Sequence, residues 1–150
     1  AVNSIAMQMY KDEWRPDYII GITRGGLVPA VLLSHATDIP MKTLCVQLES
    51  DGLEENTERN PLMARDALKD NKKILIIDDI NRGGDAIEWI QNDWQDSLGM
   101  TGDYKSEAWH NSVRFASLID NPNSKVLMDY CNEEIDLDDE DLWVEFPWES

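Results

Sequence analysis

The chain has 150 residues, with 30 Asp and Glu against 13 Lys and Arg and a formal net charge of −17. That length suits one domain with a proper core, while the charge argues against a nucleic-acid or anionic-membrane surface, since both ask for basic patches. A phosphate-rich ligand would have to be gripped locally, by backbone dipoles, a few cations and a divalent metal ion. Cys45 and Cys131 are too few for a disulfide framework or a metal cage. No apolar run reaches transmembrane length and no signal peptide is visible, so a cytoplasmic protein is expected, with some residues before Ala1 expected to be missing.

In chain order, residues 1–10 carry Val2, Ile5, Ala6 and Met9 at helical spacing, and Trp14-Arg15-Pro16-Asp17 ends that pattern. Residues 18–22 read as a short buried strand, 23–26 as a tight turn and 27–36 as an apolar helix with Pro29 in its first turn. A second strand is expected over 41–48. Residues 49–60 are acidic and without periodicity, which suggests a mobile loop. A short helix over 61–69 leads to the strand Lys73–Ile77. Residues 86–98 are amphipathic, with Ile87, Ile90, Trp94 and Leu98 on one face. Residues 99–111 are irregular; strands follow at 113–119 and 126–130, with a turn between them. From Asp129 onward there are ten acidic residues and no Lys or Arg, yet the last stretch is rich in aromatics, unlike a disordered acidic tail. Strands alternating with helices predict an α/β fold with a mainly parallel central sheet flanked by helices.

Two stretches carry candidate chemistry. Ile74-Leu75-Ile76-Ile77 runs into Asp78 and Asp79, then Ile80-Asn81-Arg82-Gly83-Gly84-Asp85 and a helical pattern. A fully apolar strand of this kind is buried on both faces, and parallel sheets bind ligands at the carboxyl ends of their strands. The paired carboxylates can hold Mg²⁺ or hydrogen-bond vicinal hydroxyls; alternatively they cap the following turn. The glycine turn can offer amides at a helix N-terminus to a phosphate. In the second stretch, Thr23-Arg24-Gly25-Gly26, the paired glycines permit close backbone approach, and Arg24 adds a fork of donors. A plain strand-to-helix turn is the alternative. His35 and His110 have no partner spacing for a metal or a nucleophile and read as structural or surface residues. The run Asp136–Asp141 reads as a solvated loop.

Taken together, these blocks resemble the type I phosphoribosyltransferases. Residues 18–40, with Thr23-Arg24-Gly25-Gly26-Leu27-Val28-Pro29-Ala30, are similar to that family's pyrophosphate-loop region, and residues 74–90 to its phosphoribosyl-pyrophosphate motif. The closing Leu142-Trp143-Val144-Glu145-Phe146-Pro147-Trp148 resembles the end of the xanthine-guanine branch. The resemblance covers nearly the whole chain and implies one phosphoribosyltransferase-like domain over 1–150, with residues 131–150 in a small C-terminal hood. It implies exchange of pyrophosphate for a purine base at the ribose anomeric carbon, through an oxocarbenium-like transition state, with Mg²⁺ as cofactor. A homo-oligomer, dimer or tetramer, is expected on the same ground. Carried over residue by residue, Arg24, Gly25 and Gly26 would bind pyrophosphate. Asp78 and Asp79 would serve the ribose hydroxyls and the metal-bound water network, and Asn81, Gly83, Gly84 and Asp85 would line the 5′-phosphate loop. Trp143 would stack on the base, unless it is a buried core aromatic, and Val144 would read the base edge through its backbone. Residues 49–60 would close over the site.

The chain departs from the family pattern in two places. Aligned without gaps, Arg82 falls where the family carries the acid that shares the purine N7 proton, making Arg82 a candidate catalytic position with the wrong charge. Gly83 and Ala86 replace two hydroxyl donors to the 5′-phosphate, and Asp85 puts an anion where the phosphate should rest. A like-charge pair about 5 Å apart at an effective dielectric near 20 costs roughly 3 kcal/mol, about two decades of affinity. Arg82 is a candidate to offset this, by pairing with Asp85 or by gripping the phosphate. At Asn121 the purine-specific relatives carry a Lys that reads the C6 oxygen, and an amide there donates without charge. An active purine phosphoribosyltransferase and an impaired relative with a nucleotide-binding or regulatory role are therefore both expected readings.

Overall fold

The structure, a computed structural model, describes residues 1–46, 48–49, 52–53, 59–100, 102–138 and 144–149. Helix α1 spans Val2–Lys11, β1 Tyr18–Thr23, α2 Leu27–Thr37 and β2 Met41–Cys45. A two-residue pair, β3 Leu48–Glu49 and β4 Gly52–Leu53, precedes α3 Pro61–Leu68, β5 Ile74–Asn81 and α4 Asp85–Ser97. Then come β6 Val113–Asp120, β7 Tyr130–Glu134 and a 3₁₀ turn at Pro147–Glu149.

Five strands form one sheet in the order β2-β1-β5-β6-β7, and every pairing is parallel. The apolar run of β5 has the physical cause expected of it, because helices cover both faces. Ile74 and Ile76 pack with Phe115 against Ala64 and Ala67 of α3 and Ile87, Ile90 and Trp94 of α4. Leu75 and Ile77 pack the other way, against Ile5 and Met9 of α1 and Ala30 and Leu33 of α2. Two pieces of local chemistry set α3: Pro61 occupies its first turn, and the Asn60 side chain accepts from the Met63 amide at 3.0 Å. The chain leaves β1 toward β2 on one side and returns to β5 on the other. The strand order therefore reverses between β1 and β5, and a crevice opens at their carboxyl ends.

Several expected boundaries shift. The strand β5 continues past Asp78 and Asp79, pairing Ile80 with Ile119 and Asn81 with Asp120, so the two acids lie within the strand's last half. The strand expected over 126–130 is absent: pairing begins only at Tyr130 and runs to Glu134. Side chains take up the backbone groups that a strand would have used. The Val126 carbonyl accepts from Asn81 Nδ2 at 2.6 Å, and the Val126 amide donates to Ser124 Oγ at 3.2 Å. The Met128 amide donates to Asp120 Oδ2 at 3.4 Å. Asp129 is tied down as well, its carboxylate accepting from the Phe115 amide at 2.8 Å and lying 3.1 Å from His110 Nδ1. That pair makes His110 a structural residue, as its lack of partner spacing suggests. The second strand, expected over 41–48, ends at Cys45, and the segment expected as a loop carries the β3–β4 pair; residues 54–58 lie outside the described residues.

Phe115 is fully buried between the sheet and α4. Truncating it, Phe115→Ala, is expected to cost about 3–5 kcal/mol of stability. Denaturant unfolding at unchanged m-value checks this.

Candidate active site

The turn after β1 is built by close approach. The Gly26 amide donates to the Ile22 carbonyl at 2.7 Å, and the Leu27 amide to the Arg24 carbonyl at 3.1 Å; the Thr23–Arg24 peptide is cis. A Cβ on Gly26 would stand 2.4 Å from the Ile77 carbonyl oxygen of β5, and one on Gly25 would stand 2.3 Å from Asp79 Oδ2. Neither glycine has positive φ. Both are needed for space rather than for backbone freedom, and Gly25 is what lets the turn rest on the Asp79 carboxylate.

Asp78 and Asp79 each give one oxygen to the next residue's amide. Asp78 Oδ1 accepts from Asp79 N at 2.9 Å, and Asp79 Oδ1 from Ile80 N at 2.7 Å. Burial pushes the Asp78 carboxyl well above its usual 3.8, and the neighbouring Asp79 charge pushes it further. Among the described residues neither acid forms an ion pair with a cation. Hard oxygen donors side by side, one of them held against ionisation for want of positive charge, fit a Mg²⁺ ion or its bound water. A different trio, Asp120, Cys131 and Glu134, brings ligand atoms within 4.8 Å of one another at the β6–β7 end of the sheet. Asp120 there already accepts from Asn81 Nδ2 at 2.8 Å, and a thiol suits Mg²⁺ poorly.

The loop Asn81–Asp85 is fastened from behind by the β6–β7 connection. Its carbonyls at Asn81, Arg82 and Gly83 accept from Asn121 N at 3.0 Å, Asn121 Nδ2 at 2.8 Å and Lys125 N at 3.3 Å. Gly84 has φ 88°, and a Cβ there would meet Ser124 Oγ at 2.9 Å. Helix α4 then starts at Asp85 with no side-chain cap, so its first-turn amides are left for an anion.

Two cavities meet at Asp78. One, of about 810 Å³, is walled by Thr23, Arg24, Gly25, Asp78, Asp79 and, from the C-terminal segment, Glu145 and Trp148. The other, of about 390 Å³, is walled by Asp78 and the loop from Ile80 to Ile87, with Val46 and Met128. A larger apolar groove between α1 and α2, about 920 Å³, holds no comparable set of acids and glycines.

Most of the expected site residues thus gather at one sheet edge: Arg24, Gly25, Gly26, Asp78, Asp79, Arg82, Gly83, Gly84 and Asp85. Asn81 and Asn121 are there but turned to other work. Asn81 donates to Asp120 and the Val126 carbonyl, and Asn121, 1 % exposed, donates to the Arg82 carbonyl and, at 3.2 Å, to Asp138 Oδ1. The partner of Asp85 is Lys125, not Arg82. Val144 is partly exposed, whereas Trp143 and, of the expected lid, residues 50–51 and 54–58 lie outside the described residues. Lys125 and Trp148 were not singled out by sequence: Lys125 lies just before the strand expected over 126–130, and its partner lies 40 residues away.

Because Asp78 ionises less readily in the fold than in the unfolded chain, its contribution to stability is complete below the usual 3.8 and is lost as pH rises through the folded value. Asp78→Asn is therefore expected to raise the neutral-pH melting temperature, on a scale of about 2–4 °C per kcal/mol, and to weaken Mg²⁺ binding. Calorimetry with and without the ion checks both.

A family model for the phosphoribosyl transferase domain matches residues 1–150. The xanthine-guanine phosphoribosyltransferase of Cereibacter sphaeroides is 27 % identical over 139 residues, covering 91 % of this chain and 70 % of the relative. That of Desulfotalea psychrophila is 29 % identical over 133 residues, covering 88 % and 69 %. The crystal structure of a purine phosphoribosyltransferase from Pyrococcus horikoshii superposes with a TM-score of 0.67 at 29 % identity, covering 99 % of this chain and 86 % of that one. With a reversal of strand order at the crevice and a family match along its whole length, the chain belongs to the type I phosphoribosyltransferase family, among relatives of the purine branch.

Proposed function

We propose that the protein transfers the ribose 5-phosphate of phosphoribosyl pyrophosphate to a purine base and releases pyrophosphate. The observation that carries this reading is the pair of cavities joined at Asp78. A ribose resting on Asp78 and Asp79 would send its pyrophosphate toward Arg24 and Gly25 and its 5′-phosphate toward Gly83–Ala86. The names of the similar relatives support a purine as the acceptor.

In this reading the chain contributes mainly charge placement. Arg24 and the turn amides receive the departing pyrophosphate, and the first turn of α4 anchors the 5′-phosphate so that the anomeric carbon is presented in a fixed place. Asp78 and Asp79 accept from the ribose hydroxyls. Asp78 and Asp79, directly or through water, would hold Mg²⁺, which would supply positive charge to the leaving group. Trp143 is the proposed base platform, and Val144 its backbone reader.

One observation favours a second reading, an impaired homologue that binds nucleotide for regulation. Arg82 stands where an acid is expected in the family, and the Asn121 amide is committed to holding the loop, which leaves the base without either contact.

An assay of several purine bases for nucleotide formation from phosphoribosyl pyrophosphate and Mg²⁺ separates the two. Turnover with any of them supports the transferase. Binding of nucleotide without turnover supports the impaired relative. Arg82→Asp, which restores an acid for the purine N7 proton, is expected to raise kcat by about a hundredfold, the usual scale for a positioned acid–base group. An unchanged or lower kcat would show that Arg82 is not at that position.

A further inference from the structure

Helix α4 opens with two acids, Asp85 and Glu88, in its first turn. Acids there already answer the positive end of the helix dipole, so they repel any ligand anion that approaches it. Asp85 also lines the loop cavity. Taken alone, that arrangement would repel a phosphate.

A cation from another element answers both acids. Lys125, in the connection between β6 and β7, places Nζ on Asp85 Oδ1 and 3.5 Å from Glu88 Oε1. Its backbone is fixed independently of the charge. The Lys125 amide donates to the Gly83 carbonyl at 3.3 Å, the preceding Ser124 backs onto Gly84, and the following Val126 carbonyl is held by Asn81. The residue that neutralises Asp85 is therefore anchored to the loop that Asp85 follows.

We propose that Lys125 is a positioning residue of the phosphate pocket, pairing with Asp85 and Glu88 so that the first turn of α4 can receive an anion despite its own acids. This rests on the transferase reading only for the identity of the anion, a ribose 5-phosphate group. The pocket's tolerance of any phosphate follows from the charges themselves. Lys125 sets one positive charge against Asp85 and Glu88; without it both acids face an incoming anion with no answering charge from this connection. The ion pair is exposed, the Lys125 side chain at 45 % and Asp85 at 71 %, so solvent screening makes the effect moderate.

The test compares the wild type, Lys125→Met, Asp85→Asn and the double variant by calorimetric titration at low ionic strength. Inorganic phosphate is one probe, and phosphoribosyl pyrophosphate with Mg²⁺ is the other. Lys125→Met is expected to weaken both affinities about tenfold, and adding Asp85→Asn to recover most of the loss. In turnover, KM for phosphoribosyl pyrophosphate rises while kcat and the KM for the base hold. Unchanged affinity in Lys125→Met overturns the proposal, and so does a loss that Asp85→Asn fails to rescue, since that would make Lys125 a direct ligand. Should Lys125→Met not fold, Asp85→Asn alone decides, with equal or tighter phosphate binding expected and weaker binding overturning. Lys125-dependent phosphate binding without nucleotide formation sinks the transferase reading and leaves this one standing; nucleotide formation with the same KM in both proteins does the reverse.

Discussion

The site depends on one close approach, that of the turn after β1 to strand β5. Gly26 passes so near the Ile77 carbonyl, and Gly25 so near the Asp79 carboxylate, that a single methyl at either would collide. This contact requires β1 and β5 to be parallel neighbours, which they are, with Tyr18 opposite Ile74 and Gly21 opposite Ile77. Because the strand order reverses between these two strands, no crossover helix fills the space above them. The turn and the acids therefore share one crevice.

Stability and function pull against each other at that crevice. Asp78 is buried beside Asp79 without a cation among the described residues, and that burial, with the Asp79 charge next to it, raises its pKa. The fold can bear this because its core is elsewhere, two apolar layers on the faces of a sheet whose central strands are almost fully buried. Such a division is usual where a rigid scaffold carries an electrostatically strained site.

The loop Asn81–Asp85 shows how one segment is held by another far along the chain. The carbonyls of Asn81, Arg82 and Gly83 are held from behind by Asn121 and Lys125. Asn121 illustrates this. Its buried side-chain amide supports the backbone at the Arg82 carbonyl. The charge problem posed by Asp85 is met by Lys125, from a connection that also forgoes strand pairing to make these contacts.

Reading along the chain was enough for what depends on near neighbours. The apolar run Ile74–Ile77 meant a doubly covered parallel strand, the glycine pairs meant turns, and the order of the blocks meant a phosphoribosyltransferase fold. Burial and turn geometry are imposed by residues within a few positions, so their pattern survives in the linear text. What only the tertiary structure decided are pairings across long separations. Asp85 with Lys125, Asn121 with the Arg82 carbonyl and Val126 with Asn81 join segments about 40 residues apart, and no periodicity announces them. Of these, the Asn81–Val126 contact engages a backbone carbonyl of the expected strand 126–130, and the strand itself runs over Tyr130–Glu134. The family of the protein was legible in its sequence; what fastens the Asn81–Asp85 loop lay in the fold.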